Sequence, residues 1–191
     1  FDSSFNGLYI AYWNAAGKIS VYLNGSERVA ASTSLSADTW YHIAVVRNGS
    51  AMAVYLDGSS IGTGTYSGTV LTPKAATEIG RNSDGSQHGW VGWIDEFRMS
   101  NSARYTSGFT PSTTPFVNDS NTLLLLHMDG ADGSTNFIDD SGGRSAVALS
   151  GRGNAQIDTS DYQFSGSSLL LDGTGDWVTT GTVNNTAADN P

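Results

Sequence analysis

The sequence contains no cysteine, which excludes disulfides, thiolate-bound zinc and thiol catalysis and leaves the compartment open. Charge is scarce: Asp, Glu, Lys and Arg make up 14% of the 191 residues, with Lys and Arg numbering 9 against 18 Asp and Glu. The resulting formal charge of −9 repels phosphate backbones and anionic lipid, so neither nucleic acid nor a membrane surface suits it as a partner. Long apolar runs are missing too. The strongest, Leu123–Leu126, has the length of a strand and not of a membrane span. Extended Glu/Lys/Ala/Leu stretches are absent, which argues against an α-helical fold. No leader is visible, but the chain opens at Phe1 and not at Met. It therefore reads as a piece of a longer protein, with any targeting segment upstream.

What remains is a chain of 38% hydrophobic residues and 23 glycines, its polarity carried by Ser, Thr and Asn. That hydrophobic share supports a packed core, and the rest suits many short strands joined by tight turns. Leu8, Ile10 and Tyr12 alternate with other residues, as do Ile19, Val21 and Leu23 before Asn24-Gly25. The pattern is plainest from Trp40 to Leu56. Trp40–Arg47 is apolar on both alternating sets, which predicts a central strand covered on both faces. Asn48-Gly49-Ser50 supplies a turn, and Met52, Val54 and Leu56 mark the returning strand, closed by Asp57-Gly58. Further short strands are expected over 61–66, 77–81, 123–128, 146–149, 168–171 and 177–179. One continuous strand is expected over Trp90–Met99. A Pro/Ser/Thr-rich connection covers 100–121, with a helical turn or two near Ser102–Tyr105 as its sole helix. Many strands and almost no helix imply a β-sandwich or barrel.

At this point the residues resemble a known family. Trp40–Gly49 followed by Val54–Gly58 resembles the central hairpin of laminin-G-like jelly rolls of the concanavalin-A-like lectin/glucanase superfamily. Glu78-Ile79-Gly80-Arg81 and Gly92–Arg98 resemble its closing strands. Thr122–Gly130, Asn154–Ile157, Phe164–Leu169 and Leu171–Val178 resemble its opening strands. The resemblance implies an antiparallel β-sandwich whose C-terminal part comes first, over residues 1–115, and whose N-terminal part follows, over 116–191. Either the chain joins the back half of one module to the front half of the next repeat, or it is a permuted module whose halves complete the same sandwich. The resemblance is closest to Cys-free modules of phage and bacterial surface proteins. It implies an extracellular or virion-surface setting, with glycan or cell-surface polysaccharide and other copies or repeats of the module as partners.

Candidate functional residues fall into three groups. Aromatic rings beside amides suit sugars, whose C–H faces stack while their hydroxyls hydrogen-bond. Tyr12, Trp13, Asn14, His88 and Trp90 carry that mix. Asp84, Asp129, Asp132, Asp139 and Asp140 lie in Gly-rich turns and are candidate Ca²⁺ ligands, although Asp and Gly also favour turns for conformational reasons. Asp95 and Glu96 are adjacent in a predicted strand and so point to opposite faces, which prevents them from acting as a hydrolytic pair. His42, His88 and His127 do not form a recognisable zinc set, and no nucleophile elbow or phosphate loop is present. These readings favour a non-catalytic, glycan-recognising adhesion module. A structural role as a virion decoration or fibre spacer is the rival, and a glycoside hydrolase is the weakest alternative.

Overall fold

A computed structural model describes residues 7–70, 77–81, 89–142 and 149–180. It is all-β and antiparallel. The chain divides into two compact units: unit 1 comprises Phe1–Lys74 with Ser102–Pro111, and unit 2 comprises Ala75–Asn101 with Ser112–Pro191.

Unit 1 is a pair of three-stranded meanders. β1 (Leu8–Trp13), β2 (Lys18–Leu23) and β3 (Ser26–Ser32) form one sheet, and β4 (Ile43–Asn48), β5 (Ala51–Leu56) and β6 (Ser59–Thr65) form the other. Turn chemistry sets each register. Asn24 and Gly25 take φ of 49° and 76° between the paired Leu23 and Ser26. Asp57 and Gly58 take 48° and 78° between the paired Leu56 and Ser59. Two successive left-handed residues give a two-residue turn whose twist matches the flanking strands, and Asn-Gly and Asp-Gly adopt it at least cost. Ile19, Val21, Leu23, Val29 and Ala31 of the first sheet meet Met52 and Val54 of the second in a buried core. Gly62 and Gly64 let β6 lie directly against β3: a Cβ at Gly64 would stand 2.1 Å from the Arg28 carbonyl oxygen, and one at Gly62 would stand 2.7 Å from Ala31 Cβ.

Unit 2 is built from pairings between distant stretches. β8 (Val91–Ile94) pairs with β13 (Ser168–Asp172), which also pairs with β12 (Gln156–Asp158). β7 (Glu78–Ile79) pairs with β14 (Trp177–Thr180), itself beside β11 (Leu149–Arg152), and β9 (Phe97–Ser100) pairs with β10 (Thr122–Leu126). Leu124, Leu126, Ile157, Leu169, Leu171 and Val178 are fully buried at its centre.

Three local expectations need correction. Trp40–His42 precede the strand, and β4 lies at the end of its three-stranded sheet with β5 in the middle; Ile43 remains 39% exposed. The apolar run predicts cover on both faces, but the burial belongs to β5. The stretch Trp90–Met99 is two strands and not one, because Glu96 takes φ of 52° and breaks the alternation. Ser102–Tyr105 forms no helix.

Candidate functional site

The outward face of β5 is lined by Ala51, Ala53 and Tyr55, alternating with Met52 and Val54 in the core. Alternation sends successive side chains to opposite faces, and the alanines leave room above the sheet. Val46 and Thr63 flank Ala53 from β4 and β6, and Asn48 and Thr65 flank Ala51. The segment Tyr105–Gly108 completes the lining of a groove of about 520 Å³.

Phe109 positions this segment. Its N–H donates to the Gly58 carbonyl at 3.0 Å. Its ring stacks on Tyr105, with centroids 3.6 Å apart and planes 7° from parallel, and meets Tyr55 and His42 edge-on at 5.4 Å each. Residue 58 has to be glycine, because it has φ of 78° and a Cβ there would fall 1.7 Å from the Phe109 carbonyl oxygen. The turn that closes the β5–β6 hairpin therefore also seats the segment beside the groove.

The lining mixes apolar and neutral polar side chains. Asn48, Thr63, Thr65, Thr106 and Ser107 present exposed amide and hydroxyl groups, and among the described residues none that lines the groove is Asp, Glu, Lys, Arg or His. A serine or threonine hydroxyl is a weak nucleophile without an adjacent base. The groove is therefore equipped to exchange hydrogen bonds and to make ring contacts.

The residues singled out from sequence are placed elsewhere. Tyr12 packs against the unit 1 core, and its hydroxyl accepts the Leu35 N–H at 3.0 Å. Trp13 is half-buried at the end of β1, and Asn14 is exposed in the short 3-10 turn Asn14–Ala16 that follows. Trp90 is half-buried and packs against the unit 2 core, and its backbone N–H donates to the Gly80 carbonyl at 2.6 Å. His88 and Asp84 lie outside the described residues. Tyr12, Trp13, Asn14 and Trp90 do not line the groove.

Among the turn carboxylates, Asp139 accepts the N–H groups of Leu125 at 3.1 Å and Ser141 at 3.0 Å, and Asp132 accepts that of Thr159 at 3.3 Å. Asp129 and Asp140 are exposed. Among the described residues no three His, Asp or Glu side chains are gathered where they could hold a metal ion.

Asp95 and Glu96 act on the backbone of unit 2. The half-buried Asp95 accepts the N–H groups of Gln163 at 2.9 Å and Phe164 at 2.8 Å. Burial pushes its pKa up to about 6, against the opposing pull of those two N–H groups; the neighbouring Glu96 charge raises it further. The buried Glu96 accepts the Phe116 N–H at 2.7 Å and contacts His127 Nδ1 at 2.7 Å.

Sequence reasoning missed the groove. Its floor consists of small residues at outward strand positions, which look like any solvent face, and its wall arrives from more than forty residues further along the chain. The available signal was Ala51 and Ala53 opposite Thr63 and Thr65, a stripe of small and hydroxylated side chains across neighbouring strands.

Fold and groove together define an all-β sandwich module with an uncharged recess on one sheet. A laminin G model, described as the concanavalin A-like lectin/glucanases superfamily, matches residues 1–108. That is more than half of the chain, and the protein belongs to this family. The family supports a carbohydrate-binding or adhesion-type module in general terms. Every residue lining the groove falls within the matched span. No curated protein and no solved structure matched the chain.

Proposed function

We propose that this protein is a non-catalytic module that recognises glycans on a cell or virion surface, and that it does so through the groove of unit 1. The observation that carries the reading is the groove itself: hydroxyl and amide side chains surround an alanine floor, with the stacked Tyr105–Phe109 pair beside it. Sugars offer alternating C–H faces and hydroxyls, and such a lining meets both. The lining holds no carboxylate pair of the kind glycoside hydrolysis uses.

The test is a glycan panel probed with the intact, folded chain. Binding is expected to at least one glycan, with no release of reducing ends during prolonged incubation. Thr63→Trp places a large ring over an exposed groove position. It is expected to abolish binding and leave the melting curve unchanged. A folded chain that binds nothing on the panel defeats the proposal.

One observation favours a second reading, a structural role among copies of the module. Leu8 and Ile10 stand opposite the core residues Leu23 and Val21 and so share their face, yet they are 42% and 44% exposed. A second copy would cover them. Concentration-dependent assembly in sedimentation, lost in Ile10→Lys, is the result this reading requires.

A further inference from the structure

Resting on the glycan reading above, we infer that the groove takes an uncharged polysaccharide and holds it without a metal ion. The first support is the lack of charge among the described residues of the lining. An acidic sugar would bring a carboxylate or sulfate into contact with the groove. A partly desolvated anion without a cationic partner is strongly disfavoured, and proteins that bind such groups meet them with Arg or Lys. The chain as a whole carries a formal −9, which adds long-range repulsion between the protein and a polyanion. A basic sugar is disfavoured for the mirror-image reason at close range, since the lining has no carboxylate to receive an ammonium.

The second support is the donor set. Ca²⁺ takes six to eight oxygens and normally draws several from carboxylates. The groove offers hydroxyls, one amide oxygen and backbone carbonyls. The turn aspartates Asp132 and Asp139 are committed to backbone N–H groups in unit 2. The lining therefore has to recognise its ligand by hydrogen bonding and ring contact.

The third support is length. The lining follows β5 from Ala51 to Tyr55, which spans roughly 13 Å at about 3.3 Å per residue. That is longer than a single pyranose ring. Asn48, Thr63 and Thr65 supply groups that both donate and accept along it, the pairing that adjacent sugar hydroxyls require.

The experiment is affinity electrophoresis of the intact chain through gels containing neutral polysaccharides (glucan, mannan, galactan and xylan) or acidic ones (alginate, hyaluronate and polygalacturonate). Each gel is run with and without a chelator, and at low and high salt. Retardation is expected by at least one neutral polymer and by no acidic one, unchanged by chelator or salt. Thr63→Trp, and separately Asn48→Ala, are expected to weaken that retardation by about tenfold or more and about threefold, respectively. Retardation by an acidic polymer, or loss of neutral binding in the chelator, overturns this inference and leaves the glycan reading standing. Neutral binding that both variants leave intact overturns the assignment to the groove. A folded chain retarded by no polymer of either class overturns the glycan reading itself.

Discussion

The two units reach a tight fold by different means. In unit 1 the sheets grow from consecutive hairpins, and glycine permits the closest approaches, Gly62 and Gly64 against β3 and Gly58 against Phe109, as Gly153 does against Gly175 in unit 2. In unit 2 the paired strands are far apart in sequence, and carboxylates hold the crossing segments to one another. The two buried carboxylates among the described residues, Glu96 and Asp176, both lie there and both accept backbone N–H groups. Local hairpins need little beyond turn residues and a matched core. Distant segments leave backbone donors where no ladder partner is in register, and an unpaired buried N–H costs about 1–3 kcal/mol. A carboxylate with two acceptor oxygens satisfies two such donors at once. Scattered Asp and Glu in a turn-rich chain therefore carry a conformational meaning before any catalytic or metal-binding one.

The largest effect is expected from breaking the glycine side of this comparison. Gly64→Val puts a Cβ against a backbone carbonyl that the β3 strand cannot easily move. It should cost about 3 kcal/mol or more, read as a lowered urea midpoint with hydrogen-exchange protection lost across β1–β6. The counterpart in unit 2 is Asp176→Ala. It strands the N–H groups of Asn154 and Asp172, each now 2.8 Å from a carboxylate oxygen, and should cost about 2–4 kcal/mol. Protection should fall first in β11–β14. If Gly64→Val proves harmless, or Asp176→Ala loosens unit 1 first, the contrast between the units fails.

Glu96→Gln sharpens the comparison. Glutamine can still accept from Phe116 and donate to a neutral His127 ring, so the loss should be about 1–2 kcal/mol. The His127 ring resonances should shift in NMR spectra, and Glu96→Ala should cost more.

The smallest effect is a pH dependence confined to unit 2. Burial holds the Asp95 pKa near 6, above its ordinary value of 3.8. Ionisation therefore opposes folding: the stabilising influence of the protonated form is complete below the unfolded pKa and is lost as pH rises through the folded one. The full shift would correspond to about 3 kcal/mol, and solvent screening of this half-exposed group reduces it to about 1 kcal/mol or less. Asp95→Asn should melt higher than the parent above about pH 7 and together with it below about pH 3.5. A parent and variant that differ equally at both pH values would show that Asp95 acts through its shape and not its charge.

Much of unit 1 was legible in the sequence. Asn24-Gly25, Gly49 and Asp57-Gly58 mark hairpins because their left-handed conformations are local properties of those residues. β3 was overlooked, since Ser26–Ser32 carries few large apolar residues, and β4 was misjudged as central because alternation does not reveal a strand's place in a sheet. Tyr12 and Trp90 were read as ligand platforms on composition, yet both pack against cores. An aromatic residue near a turn looks the same in sequence whether its ring faces solvent or the interior. The candidate site was not legible at all, because the features that form it are the outward smallness of Ala51 and Ala53 and the seating of Tyr105–Gly108 by a contact between Gly58 and Phe109.

By itself the sequence determined the all-β class, the hairpin turns and the sparsely charged, hydroxyl-rich character of the chain, since these follow from local backbone preference and side-chain chemistry. The tertiary structure alone decided which distant strands pair in unit 2, which carboxylates hold backbone and which residues meet around the groove. Those outcomes depend on contacts between positions far apart in the chain, where the energy lies in packing and paired hydrogen bonds that no single stretch contains.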